Sequence, residues 1–249
     1  MRIISLLNQK GGVGKTTSTV NIGQGLSLLG KKVLLLDLDP QAHLTYSLGI
    51  KAHELEKTVF ELLKGEATLD QVIQTRGALH VIPSTLDLSG AEMEFSSVAG
   101  REMLLKEALK KAHDYDYILI DCPPNLSILT LNTLTTAREV FICVQTEYLA
   151  LQGIARLMET IQVVKKRLNK SLNVTGVICT RYDKRKRLNV EVAENIKSYF
   201  GEKVFHTMIR DNIALAEAPI KGKTIFDYAP RSHGAEDYME LCKEIIKQG

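Results

Sequence analysis

Residues 8–17 read Asn-Gln-Lys-Gly-Gly-Val-Gly-Lys-Thr-Thr, directly after the apolar run Ile3-Ile4-Ser5-Leu6-Leu7. Gly11, Gly12 and Gly14 lack the Cβ that would keep successive backbone N–H groups from turning inward, so this stretch can wrap a phosphate chain. The loop opens a helix, whose N-terminal dipole favours the same anion. In such a loop Lys15 reaches the β- and γ-phosphates and the Thr16 hydroxyl ligates Mg²⁺, with Val13 and Thr17 counted among the nucleotide-binding residues. The strict pattern G-x-x-x-x-G-K-S/T is not met, because Gln9 stands where its first glycine belongs. Lys10 is the unusual member. Its stem does not fold back easily onto phosphates that Lys15 already holds, so it makes most sense if it reaches a different nucleotide, in a facing subunit.

Hydrolysis of Mg²⁺–ATP needs carboxylates close to that loop. Val33–Leu36 is followed by Asp37-Leu38-Asp39-Pro40, and Tyr117–Ile120 by Asp121-Cys122-Pro123-Pro124. Both are apolar runs ending in Asp and then Pro, which places carboxylates at the strand edge where open α/β sheets bind ligands. A lone strand-terminal Asp is usually a turn former. Two of them beside a phosphate loop point to nucleotide chemistry.

The elements that must hold these residues are short β-branched runs alternating with longer helical patterns. Besides those named, Val140–Val144 and Val174–Ile178 read as strands, with His80–Ile82 shorter and Val204–Ile209 weaker. Continuous rather than alternating apolar runs mean strands buried on both faces. The expected fold is α/β: a mostly parallel twisted sheet with helices on both faces, of the P-loop NTPase type. A helix is expected from the phosphate loop to about Leu29, with Gly30 as its stop. The segment Tyr238–Ile246 carries an apolar stripe and a polar face of mixed sign, so it is expected to dock on the sheet rather than lie on a membrane. No repeat or Pro/Gly/Ser-rich linker divides the chain, and residues 1–249 are expected to form one domain.

The 249 residues are 45% hydrophobic and 24% charged, ordinary for a globular protein. A net charge of +3 is too small to identify a partner by itself. No apolar run approaches the ~18 residues of a membrane span. With a strand-like run directly after Met1-Arg2, no signal peptide is expected. The four cysteines, Cys122, Cys143, Cys179 and Cys242, form no C-x-x-C pair and read as buried thiols. Together these features lead to an expected cytoplasmic location.

The loop with its extra lysine resembles the deviant Walker A motif of the ParA/MinD group of P-loop ATPases. The blocks NQKGGVGKTT, VLLLDLDPQAHLTYSLG, HVIPSTLDLSGAE, DYILIDCPP and LAEAPIKGKTIFDYAPRSHGAEDY, in that order, are most similar to ParA/Soj partition ATPases and span nearly the whole chain. The resemblance implies an ATP-sandwiched homodimer in which Lys10 crosses to the partner's phosphates. It makes Asp121 the Walker B acid, acting on Mg²⁺ through a water, and Asp39 the first-switch residue that orients the attacking water. Asp37, beside that place, is expected to hold a Mg²⁺ water or the phosphate loop. The family cycle implies non-specific DNA binding by the ATP-bound dimer, hydrolysis stimulated by a ParB-like partner, weak basal turnover and residence on the nucleoid. Membrane-cycling MinD-type relatives end in a basic amphipathic helix that this sequence lacks. Iron–sulfur carriers of the group need a cysteine spacing absent here. An N-terminal helix-turn-helix module, found in larger plasmid relatives, is not expected.

One block departs from the family. Where Soj-like proteins commonly have Pro-Arg-Asn-x-Arg, this chain has Arg210-Asp211-Asn212-Ile213-Ala214. Arg210 therefore replaces the proline of the adenine pocket, where its flat guanidinium is expected to stack on the base with Asn212 nearby. Ala214 replaces an arginine linked to DNA binding. The DNA contact is expected to shift to Lys184-Arg185-Lys186-Arg187 or to Lys221 and Lys223, while Lys165, Lys166, Arg167 and Lys170 form a further basic cluster. The competing readings are a positioning ATPase for a protein cargo, a MinD-like membrane-cycling ATPase, and a metabolic ligase of the same superfold such as the dethiobiotin synthetase type.

Overall fold

Why the apolar runs become central strands is visible in how their side chains divide. Leu34 and Leu36 enter one core with Ile118 and Ile120, while Leu35 enters a second core with Ile4, Leu6 and Leu119. Successive residues of a strand point to opposite faces, so a sheet covered on both sides requires apolar residues at every position. The computed structural model describes residues 1–249. Its strands are β1 (Arg2–Leu7), β2 (Val33–Asp37), β3 (Gln74–Arg76), β4 (Leu79–Ile82), β5 (Tyr117–Asp121), β6 (Glu139–Gln145) and β7 (Asn173–Thr180). They form one seven-stranded sheet in the order β3-β4-β2-β5-β1-β6-β7. All neighbouring pairs are parallel except β3–β4, an antiparallel edge.

Five longer helices cover the faces: α1 (Lys15–Leu28), α2 (Ile128–Thr136), α3 (Ile154–Arg167), α4 (Arg187–Phe200) and α5 (His233–Lys247). Leu134 of α2, Leu157 and Ile161 of α3 and Ile196 of α4 belong to the first core. Ile22 and Leu26 of α1 and Tyr238, Leu241 and Ile245 of α5 belong to the second. Full burial of each such side chain contributes about 1.5–3 kcal/mol before the entropy of ordering it. Gly23 lets α1 sit directly on β2, because a Cβ there would meet Leu35 Cδ2 at 2.5 Å. The helix ends as its sequence suggests, Gly30 N–H donating to the Ser27 carbonyl and Lys31 N–H to that of Leu26.

α5 is docked, with Tyr238, Leu241, Cys242 and Ile245 all fully buried. No helix is long and apolar enough to cross a membrane. All four cysteines are buried free thiols. Val204–Ile209, expected as a weak strand, is instead extended chain beside β7, joined by the isolated bridges Val177–Val204 and Tyr182–Arg210. The Phe205 and Ile209 N–H groups donate to the Val177 and Cys179 carbonyls, but the intervening residues complete no ladder. Between β2 and β5 lie several helical turns of three to six residues, too short for the sequence periodicity to reveal.

Candidate functional site

The phosphate loop occupies residues 8–14, between the end of β1 and the start of α1. Gly12 and Gly14 adopt φ of 73° and 91°, a region costly for any side chain bearing a Cβ. Gly14 is also the N-cap of α1 and offers no side-chain acceptor, so the first amides of the helix remain free for an anion. Asn8 braces the entry: its amide donates to the Cys143 carbonyl at 2.6 Å, and its Oδ1 accepts the Lys10 N–H at 3.0 Å. Lys15 is buried, and its ammonium lies 3.5 Å from the Lys10 carbonyl, arched over the loop. Lys10 itself is exposed at the rim, with no ion-pair partner for its side chain.

The acids arrive from neighbouring strands. Asp37 ends β2 and Asp121 ends β5, opposite each other in register. Both are fully buried. Asp121 Oδ2 accepts the Thr16 hydroxyl at 2.5 Å, whereas Oδ1 is buried with no hydrogen-bond partner. A buried carboxylate oxygen without a donor is costly alone and is what a metal-bound water would satisfy. Thr16 and Asp121 therefore fit a Mg²⁺ held beside the loop. Burial raises the Asp121 carboxyl above the usual carboxylate range; the Asp37 charge adds to this, and the Thr16 bond and Lys15 oppose it.

Asp37 is also raised by burial, against its hydrogen bonds. Its Oδ1 accepts the Asp39 N–H at 3.2 Å, and its Oδ2 accepts the Thr45 N–H and hydroxyl at 2.9 and 2.7 Å. Of the two expected roles the geometry gives it neither directly: its carboxylate holds the segment after β2. That segment presents Asp39, buried, whose Oδ1 accepts the Gln41 N–H at 2.9 Å while the residue lines the cavity.

The loop floors a cavity of about 600 Å³ that brings Gly11, Gly12, Lys15, Thr16, Thr17 and Asp39 together. Its wall also includes Pro124, from the Pro123-Pro124 pair after β5, Pro219, and Tyr46 and Ile220, which the sequence reading did not single out; only the neighbourhood of Tyr46 and Ile220 to Asp39 and Lys221 pointed to them. A smaller cavity of about 220 Å³ opens behind the loop, against Val13, Thr17, Ile213 and Leu215. Arg210 and Asn212 both line it. Arg210 is fastened to α5, its Nε donating to Asp237 Oδ1 at 2.9 Å and its Nη2 to Glu236 Oε2 at 2.6 Å. Asn212 Oδ1 accepts the Ala214 N–H at 2.9 Å.

The basic clusters separate by sheet edge. Lys165, Lys166 and Arg167 end α3, which returns from the carboxyl ends of the strands, so this cluster sits at the edge opposite the phosphate loop. Lys184–Arg187 follows the carboxyl end of β7, on the phosphate edge, and all four side chains are exposed. Within it Arg185 pairs with Asp183 at 2.9 Å and Arg187 with Glu191 at 2.8 Å, leaving Lys184 and Lys186 unpaired. These residues share a concave surface with Arg210 and His233. Lys221 and Lys223 are exposed on the turn beside Ile220.

Comparison with known proteins agrees with this architecture. A family model described as an AAA domain matches residues 1–174. The sporulation initiation inhibitor protein Soj of Bacillus subtilis is 47% identical over 100% of this chain and 99% of its own length. The chromosome partitioning protein ParA of Caulobacter vibrioides is 40% identical over 100% and 95%. A crystal structure of a Mycobacterium smegmatis cobyrinic acid a,c-diamide synthase, with bound ADP and magnesium, superposes with a TM-score of 0.89 at 34% identity, covering 100% of this chain and 95% of that one. With relatives this similar over its full length, the chain belongs to the ParA/Soj family of P-loop partition ATPases.

Proposed function

We propose that this ATPase is a nucleotide-dependent dimer switch that positions or segregates chromosomal or plasmid DNA. In this reading Mg²⁺–ATP lies on residues 11–17 and the dimer it stabilises binds DNA without sequence preference. A ParB-like partner stimulates a weak basal hydrolysis, and the protein resides on the nucleoid in the cytoplasm. The observation that carries the reading is the division between the two loop lysines. Lys15 is buried in the cradle while Lys10 stands exposed and unpaired at its rim. A cation free at the mouth of an anion site is placed to neutralise phosphates held by a second copy, which ties nucleotide state to dimerisation.

Bound Mg²⁺ supplies the charge neutralisation that phosphoryl transfer requires. This chain's contribution is to hold it through Thr16 and, by way of a water, through Asp121 Oδ1. Asp39 takes the attacking water, and Pro124 confers stiffness on the segment that follows β5. Lys184–Arg187, Lys221 and Lys223 supply the DNA surface.

The test is binding to random-sequence duplex DNA with ADP, ATP and a slowly hydrolysed ATP analogue across a salt series. Binding in the ATP states alone, falling steeply with salt, is expected. No binding in any state, with ATP dimers still forming, would overturn the DNA role. A second reading, a metabolite-amidating synthase, takes support from the name of the mycobacterial protein. ATP turnover that depends on a small carboxylic acid and is indifferent to DNA would establish it.

A further inference from the structure

A phosphate cradle works only while its amides point inward, and an amide cannot turn without its carbonyl. Within one trans peptide plane the N–H and C=O groups point in opposite directions, so whatever fixes the carbonyl aims the following N–H. Two such carbonyls in the phosphate loop are held from behind. Gln145 Nε2 donates to the Gly12 carbonyl at 2.6 Å, and Thr180 Oγ1 donates to the Val13 carbonyl at 2.9 Å. The N–H groups on these planes are those of Val13 and Gly14. The Val144 carbonyl, 3.4 Å from the same hydroxyl, is the poorer acceptor for its single proton.

Gln145 and Thr180 are the last residues of β6 and β7 and face each other in register. Paired residues of adjacent parallel strands point to the same side, so both side chains reach the loop together. Both are buried, at 5% and 4% exposure. The loop needs outside support. A Cβ on Gly11 or Gly12 would find no atom within 4 Å, so nothing packs on the glycine side of the loop, and Val13 alone is anchored by its side chain in the second core. On the side of Gly14, by contrast, Thr180 Cγ2 lies 3.5 Å from where a Cβ would stand.

The geometry points to Gln145 and Thr180 as a two-point clamp, positioning residues that aim the Val13 and Gly14 amides at the β-phosphate and thereby set a preference for nucleoside diphosphates and triphosphates over monophosphates. This rests on the reading of residues 11–17 as a nucleotide site. Neither residue touches the nucleotide; each acts through a loop carbonyl.

The experiment is calorimetric titration of ADP and of AMP into the full chain and into Thr180→Val, Thr180→Ser and Gln145→Leu. Thr180→Val keeps the shape of the side chain and removes the proton. It is expected to weaken ADP binding about tenfold, or ~1.4 kcal/mol, leave AMP binding unchanged, and lower the thermal midpoint without nucleotide by about 2–4 °C while the chain stays folded. Thr180→Ser should restore ADP affinity. Gln145→Leu should lose ADP selectivity likewise, and should it fail to fold, the valine–serine pair decides alone. An equal loss for ADP and AMP, unchanged ADP affinity in Thr180→Val, or no rescue by serine would overturn the clamp. Failure of the underlying reading looks different: the parent chain itself would bind no ADP, and the clamp would fall with it.

Discussion

Asp37 and Asp121 stand opposite each other on adjacent strands, each after an apolar run, each fully buried. In sequence they are the same signature, yet their surroundings assign them different work. Asp37 accepts from Asp39 and twice from Thr45, so both of its oxygens are engaged in holding the chain. Asp121 spends one oxygen on Thr16 and keeps the other buried without a donor. A carboxylate whose acceptors are filled by its own chain is structural. One whose second oxygen is buried without a donor beside a phosphate loop is not accounted for by holding the chain.

The largest expected effect follows from the unfilled oxygen. Asp121→Ala should lower Mg²⁺-dependent ATP turnover about a thousandfold, roughly 4 kcal/mol of barrier, in a steady-state phosphate-release assay. The same substitution should raise stability to urea without nucleotide, because it removes a buried carboxyl whose Oδ1 has no hydrogen-bond partner. Asp37→Ala should do the opposite. Stripping the acceptor from three buried donors should cost about 3 kcal/mol of unfolding free energy, measured in the same urea series. If both variants lose stability equally, Asp121 is structural too and the contrast between them fails.

Asp39 sharpens the comparison because Asp37 presents it. Asp39→Ala should leave ATP binding in place and slow hydrolysis about a hundredfold, roughly 2.7 kcal/mol, trapping the ATP-bound dimer in sizing experiments. Unimpaired turnover would mean that another group orients the water. Lys10→Ala should leave ADP affinity close to the parent value and weaken ATP-dependent dimerisation about tenfold, ~1.4 kcal/mol, read by analytical ultracentrifugation. A normal dimer would refute the role of Lys10 across the interface.

Much of this was readable before the structure, for physical reasons that also mark where reading stopped. The phosphate loop is local: glycines, Lys15 and Thr16 are neighbours in sequence, so their spacing alone conveys the cradle. The central strands announce themselves because burial on both faces leaves no polar position, as in Val33–Leu36 and Tyr117–Ile120. What spacing could not convey was contact across the sheet. Nothing near Gln145 or Thr180 in sequence indicates that β6 and β7 end against Gly12 and Val13. Nor does anything near Asp37 tell that Thr45 will fill its oxygens. Arg210 shows the same limit: the departing block drew notice to it, but its partners Asp237 and Glu236 come from a distant helix.

The basic loop asks whether the rule of filled and unfilled partners extends to the surface. Arg185 is paired with Asp183, whereas Lys184 and Lys186 are unpaired. Yet the Arg185 side chain remains 86% exposed. The guanidinium faces water and salt, which screen its bond to Asp183, so it can be exchanged for a phosphate more readily than the buried carboxylate of Asp37 can leave its donors. Burial, rather than pairing alone, should then decide which charges are available. Lys184→Ala, Lys186→Ala and Arg185→Ala are each expected to weaken duplex binding uniformly across sequences. Each should reduce the slope of log affinity against log salt by about 0.9, as read from titrations at several salt concentrations. If Arg185→Ala alone left the slope unchanged, the pair with Asp183 would persist on DNA, and pairing would govern at the surface as it does beneath the phosphate loop.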